Sequence, residues 1–167
     1  MKINKKLIQN YLTIRYNPVQ NSNTSIDWKN FISQTSDPSG KISEKLLLDS
    51  VKKSIPDDKS PIAVSLSSGI DSSLCLAFLR SIFPKRKILA ICGIFDSGFD
   101  ESKEAKKIAE NFSADFKIHQ MGSIFTNMPE IISITQRPRW NTYTHIIAQE
   151  AKKFSSYYIA GDGADEF

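Results

Sequence analysis

Short apolar runs alternating with stretches of helical periodicity predict an α/β fold, a doubly wound parallel sheet with helices on both faces. Four runs, near residues 62–66, 88–95, 115–119 and 157–160, have strand length and β-branched or aromatic content. The segments between them repeat apolar residues at three- and four-residue spacing, as helices do. A strand–helix–strand order requires right-handed crossovers, and these make neighbouring strands parallel.

Residues 3–14 carry Ile3, Leu7, Ile8, Tyr11 and Leu12, the pattern of a short amphipathic helix that Asn17-Pro18 breaks. Residues 17–40 are rich in Asn, Ser, Thr, Asp and Pro and read as a connector, with Trp28 and Phe31 to pin it. A second helix is expected from Ile42 to Ile55, with Leu46, Leu47, Val51 and Ile55 on one side, until Pro56-Asp57-Asp58 ends it. Residues 1–60 thus form N-terminal helices and a connector, and 61–167 the α/β domain.

In that domain Ile62 to Leu66 is the first strand. Ser72 to Phe83 follows as a helix with Leu74, Ala77, Phe78 and Ile82 inward. Ile88 to Phe95 is the second strand. Asp100 can cap a helix from Glu101 to Phe112, whose Ala105, Ile108, Ala109 and Phe112 share a face. Asp115 to His119 is the third strand, helices follow near 124–133 and 142–154, and Tyr157 to Ala160 is the fourth.

Bulk properties narrow the function classes. A chain of 167 residues is the size of one domain, and no apolar run approaches the roughly 18 residues of a membrane span. The N-terminus lacks the apolar stretch and cleavage site of a signal peptide. The net charge of +4 arises in residues 1–60 from scattered lysines, a solvated face rather than a nucleic-acid stripe. Cys75 and Cys92 lie in apolar surroundings without metal or disulfide spacing, so a reduced, cytoplasmic protein is expected. His119 and His145 stand outside any motif and are expected to pack rather than to catalyse.

Two motifs carry chemistry. In the first, strand 62–66 ends in Ser67-Ser68-Gly69 and opens directly into a helix at Ile70-Asp71-Ser72-Ser73. Small side chains let backbone N–H groups approach a phosphate, and the helix N-terminus adds its positive end. Ser67, Ser72 and Ser73 add hydroxyl donors. Asp71 would repel a phosphate unless a magnesium ion lay between them, since hard cations bind carboxylate and phosphate oxygens together. The second motif, Gly161-Asp162-Gly163-Ala164-Asp165-Glu166, follows the fourth strand. If strands one and four are neighbours where the strand order reverses, both loops meet on one magnesium triphosphate.

In this order and spacing the two motifs resemble the synthetase domain of the asparagine synthase family, an ATP-pyrophosphatase (PP-loop) domain of HUP-like fold. The family writes Ser-Gly-Gly-Leu/Ile-Asp-Ser-Ser and Gly-Glu-Gly-Ala/Ser-Asp-Glu. Phe99-Asp100-Glu101 and the stretch Tyr11 to Pro18 are also similar to it. The resemblance implies an ATP-dependent carbon–nitrogen ligase that forms an acyl-adenylate, releases pyrophosphate, and lets ammonia or an amine displace AMP. It implies that Asp71 and Asp165 hold magnesium, and that Ser67, Gly69, Ser72 and Ser73, in one loop with Ser68, cradle the pyrophosphate. Leu66, Ile94 and Gly161 would line the adenosine side, and Asp162 would stand near the reacting centre. Implied partners are a small carboxylate, an amine or ammonia donor, and a separate glutaminase or C-terminal helical partner, with no nucleic acid and no membrane. Other PP-loop ATP pyrophosphatases, and a degenerate nucleotide-binding module, are the alternatives.

The sequence departs from the family pattern in four places. Ser68 replaces Gly, which fits only a backbone that does not need φ > 0. Asp162 replaces Glu, one methylene shorter. Gln136-Arg137-Pro138-Arg139 stands where an Asp-Glu-Pro segment is usual. No nucleophilic cysteine begins the chain, so glutamine is not expected to be its own ammonia source. The chain stops at Phe167, just past a strand and loop, and is expected to be a fragment lacking the C-terminal helical region.

Overall fold

The computed structural model describes residues 5, 6, 9, 10, 37–96, 98–135 and 143–162. Residues 5, 6, 9 and 10 are helical, as the amphipathic pattern predicts; most of the expected connector lies outside the described residues. The elements in chain order are α1 (Lys41–Ser54), β1 (Ile62–Ser65), α2 (Ile70–Ile82), β2 (Ile88–Ile94), α3 (Ser102–Asn111), β3 (Asp115–Gln120), α4 (Ile124–Thr135), α5 (Tyr143–Lys152) and β4 (Tyr157–Ile159). The strands form one parallel sheet in the order β3-β2-β1-β4, so the α/β expectation holds. Every element predicted from Ile42 onward is present among the described residues, with ends moved by a residue or two.

Register explains why the strands read as unbroken apolar runs. β1 is central, with Ile62, Ala63 and Val64 paired to Ile88, Leu89 and Ala90 on one side and to Tyr157, Tyr158 and Ile159 on the other. Alternate residues feed opposite faces. Ile62, Val64, Leu66, Ala90 and Cys92 pack with Leu76 and Leu79 of α2 and with Ala105 and Ala109 of α3. Ala63 and Ile91 pack instead with Met121 and with Ile146, Ile147 and Ala151 of α5. Both cysteines are free, Cys92 buried in the first core, in keeping with their apolar surroundings.

Two helix faces differ from expectation. In α2 the fully buried residues are Leu76 and Leu79, whereas Leu74 is 43% exposed. Ser72 is turned inward to bond the turn before the helix, which goes with a buried line at 72, 76, 79 and 83, while Phe78 and Ile82 pack inward as expected. In α1 Leu46 is 63% exposed and Leu47 is exposed too; the helix meets the domain through Val51 and the following Ile55. The C-terminal half of the α1 stripe thus packs on this core, and the half at Leu46 and Leu47 does not.

Polar clamps hold the periphery. The Arg86 guanidinium, side chain 5% exposed, donates to the carbonyls of Ser60 and Pro56 and to Asp58 at 2.6–2.7 Å. It lies against the rings of Phe83 and Tyr157, and Tyr157 donates its hydroxyl to Asp58. This fastens the segment entering β1. Across the sheet, the buried Glu150 carboxylate accepts from Lys117 of β3 and from Lys153, each at 2.6 Å. Those bonds pull its carboxyl down to about 2, and His119 Nδ1 lies 3.5 Å away. His119 thus lies beside a structural ion cluster, away from the motif loops.

Candidate functional site

The strand order reverses between β1 and β4, and the crevice outside their carboxyl ends is where open α/β sheets take ligands. The two motif loops meet there. A Cβ on Gly161 would lie 3.0 Å from the Asp71 carbonyl carbon and 3.1 Å from the Ser72 nitrogen. Glycine lets the loop after β4 rest directly on the first turn of α2. Asp165 and the rest of 163–167 lie outside the described residues.

The first loop is organised around two hydroxyls. Ser67 and Ser72 Oγ are 2.8 Å apart, and Ser72 Oγ also accepts the Ser67 N–H at 3.0 Å. Ser67 Oγ accepts the Gly69 N–H at 3.1 Å, while Ser73 donates its hydroxyl to the Gly69 carbonyl at 2.7 Å. Gly69, the residue before α2, gives that helix no side-chain cap. The first intrahelical bond runs from the Ser73 N–H to the Gly69 carbonyl. The N–H groups of Ile70, Asp71 and Ser72 therefore form the open, electropositive end of the helix.

Ser68 answers the question raised by its departure from glycine. Among the described non-glycine residues only Ser113 has positive φ, so a serine is accommodated without strain. Its N–H and hydroxyl both donate to Glu101 Oε2, at 2.8 and 2.7 Å.

A cavity of about 380 Å³ opens over this loop. Leu66, Ser67, Gly69, Asp71, Ser72, Gly161 and Asp162, all singled out from sequence, line it. Ser68 and Ser73 are turned into the bonds just described. Ile94 packs into the core, with its carbonyl accepting the Met121 N–H, while Gly93 and Phe95 on either side line the cavity.

Sequence reasoning missed Gly93, Glu101 and Met121 as lining residues, and Tyr143, which the sequence favours for packing over stacking on a substrate, lines the cavity too. Gly93 left a trace, since an isolated glycine in a strand marks close approach. A Cβ there would lie 2.6 Å from Met121 Sδ and 2.7 Å from Ile147 Cδ1, so glycine leaves room for these side chains to floor the cavity. Glu101 was read only as a helix opener; α3 begins at Ser102, whose N–H bonds Asp100. Burial, and then the charge of Asp162, raises the Tyr143 phenol, which stays a neutral hydrogen-bond donor.

The acceptors at the helix head, Asp71 and Glu101, are the hard oxygen type that magnesium takes. Among the described residues no three His, Cys, Asp or Glu side chains converge to hold an ion. An ion here would complete its shell with substrate oxygens.

The parallel sheet, its reversal point and the serine-rich turn entering α2 define an α/β domain of the PP-loop, HUP-like architecture. Two solved structures share the fold: an NH3-dependent NAD synthetase from Campylobacter jejuni (TM-score 0.52, 13% identity, 75% of this chain and 58% of that one) and the U34-tRNA thiolase NcsA from Methanococcus maripaludis (TM-score 0.54, 18% identity, 75% and 46%). The profile of the asparagine synthase family matches residues 43–167, and the chain belongs to that family. It is 30% identical over 114 residues to asparagine synthetase [glutamine-hydrolyzing] 1 of Bacillus subtilis, covering 64% of this chain and 17% of that protein. It is 26% identical over 128 residues to the putative asparagine synthetase [glutamine-hydrolyzing] 2 of Methanocaldococcus jannaschii, covering 74% and 25%. The chain thus spans a quarter or less of the length of these curated relatives.

Proposed function

We propose that this domain binds ATP with magnesium and activates a small carboxylate as an acyl-adenylate for amide formation. The observation that carries the reading is the seating of Gly161 on Asp71 and Ser72, which joins both motifs at one cavity. In this reading the open N–H groups of α2 and the hydroxyls of Ser67 and Ser72 receive the β- and γ-phosphates. Ser73 and Ser68 support the turn from outside. Leu66, Gly161 and the backbone around Ile94 take the adenosine side, and Asp162 faces the reacting centre. Asp71, with Asp165, would hold magnesium, which when bound offsets charge on the leaving pyrophosphate.

A carboxylate oxygen attacks the α-phosphorus, the bond to the bridging α–β oxygen breaks, and pyrophosphate leaves. Ammonia or an amine then attacks the acyl carbon, AMP departs with the bonding pair, and the nitrogen gives up a proton to form the amide. The reaction needs a nitrogen source, for which a separate glutaminase is the proposed partner, and a C-terminal helical partner to complete the carboxylate site. Its proposed setting is the cytoplasm; no helix among the described residues is long and apolar enough to cross a membrane.

Exchange of labelled pyrophosphate into ATP, run across aspartate and other small carboxylates, tests this. Exchange dependent on one acid is expected. Nucleotide binding without exchange for any acid would refute adenylation and leave a nucleotide-binding module.

A further inference from the structure

A carboxylate of the protein itself occupies part of the phosphate loop. Glu101 Oε2 accepts both the N–H and the hydroxyl of Ser68, residues 33 apart in sequence, at 2.8 and 2.7 Å. Ser68 is exposed and Glu101 half-buried, and the bonds between them lie at the surface, so the contact is not imposed by core packing. The Glu101 side chain also lines the cavity, as Asp71 does. Backbone N–H groups in a small-residue turn are what a phosphate ordinarily takes. Here one of them is held by an anion, and the hydroxyl that doubles the hold exists because residue 68 is serine.

We propose that Glu101 is a specificity-determining residue of the phosphate loop: it holds the loop through Ser68 and selects metal-complexed over metal-free polyphosphate. The inference rests on the proposed nucleotide reading. A metal-free polyphosphate entering the cavity meets three carboxylates, Asp71, Glu101 and Asp162, and is repelled by all of them. Once a divalent cation offsets most of its charge, the repulsion falls and Asp71 has an ion to bind. Substituting Gln at 101 keeps an acceptor for Ser68 and removes the charge. Substituting Ala at 68 removes one bond and keeps the charge. The pair therefore separates the electrostatic role from the loop-holding one.

The test is calorimetric titration of the folded chain with inorganic pyrophosphate, in excess Mg²⁺ and again in chelator, for wild type, Glu101→Gln, Glu101→Ala and Ser68→Ala. Amide exchange across residues 67–69 is followed in parallel without ligand. Wild type should favour the magnesium complex by about tenfold or more, the scale of one unit charge at short range in a partly solvated site. Glu101→Gln should bring that ratio to about threefold or less, chiefly by tightening metal-free binding, while Ser68→Ala keeps it within about twofold of wild type. Amide exchange at Ser68 should rise in Glu101→Ala and stay near wild type in Glu101→Gln. If wild type binds pyrophosphate with magnesium but Glu101→Gln leaves the ratio unchanged, the selectivity role falls and the nucleotide reading stands. If wild type binds neither pyrophosphate nor ATP under any condition, the nucleotide reading itself falls, and this role with it.

Discussion

Replacing Gly161 with alanine should separate the two motif loops. The added Cβ would stand 3.0 Å from the Asp71 carbonyl carbon, 3.1 Å from the Ser72 nitrogen and 3.2 Å from Asp71 Cβ. Comfortable carbon contacts lie near 3.5–4.0 Å, so the loops must part by about 0.5 Å. The nearest atoms are main chain in the first turn of α2 and have no rotamer escape. Forcing a methyl group into such a site costs about 1–3 kcal/mol, or roughly 2–4 °C of melting temperature per kcal/mol for a domain this size. The shift falls on the groups assigned to the polyphosphate, so affinity for Mg·ATP should drop at least as far, about tenfold. Thermal melting and Mg·ATP titration measure the two effects. Gly40→Ala is the control: Gly40 has φ +68° with nothing within 4 Å of the added atom, well away from the cavity. It should lose about 1–2 kcal/mol to left-handed strain and keep its nucleotide affinity. A Gly161→Ala protein with wild-type melting and wild-type affinity would show that the loops do not touch as described.

Other outcomes follow from the same geometry. Arg86→Leu should cost about 1–3 kcal/mol, because it leaves the Pro56 and Ser60 carbonyls without the guanidinium that bonds them, while nucleotide affinity holds; urea unfolding measures it. Glu150 titrates near 2 in the folded chain against an ordinary 4.5, so its stabilisation is full above about pH 4.5 and is lost as pH falls toward 2. Glu150→Gln should therefore be less stable near neutrality by about 1–3 kcal/mol and lose less than wild type across that window, followed by unfolding at stepped pH. Burial, then the charges of Glu101 and Asp100, push the Cys92 thiol up to about 11. Native protein at pH 8 should leave Cys92 unlabelled by a thiol reagent and expose it on unfolding, so rapid native labelling would contradict its burial.

The sequence by itself determined the fold class and the order of elements. Ile62 to Leu66 and Ile88 to Cys92 are largely buried on both faces, and a strand in that setting leaves an unbroken apolar run that periodicity can read. The two motifs were legible for a related reason: a phosphate turn demands small residues in consecutive positions, and Ser67 to Ser73 shows them without reference to any distant partner. Helix phase was only partly legible in α2, where Leu74 and Leu76 are equally apolar and burial of Leu76 goes with the inward bond between Ser72 and Ser67. The exposed Leu46 and Leu47 of α1 are the same lesson, since periodicity reports an apolar face and not what meets it. Only the tertiary structure placed β4 beside β1, and with it Gly161 on the first turn of α2. Likewise Glu101 reaches Ser68 across 33 residues. Such contacts are set by strand order and loop closure, which no local pattern encodes, and they turn two recognisable motifs into one site.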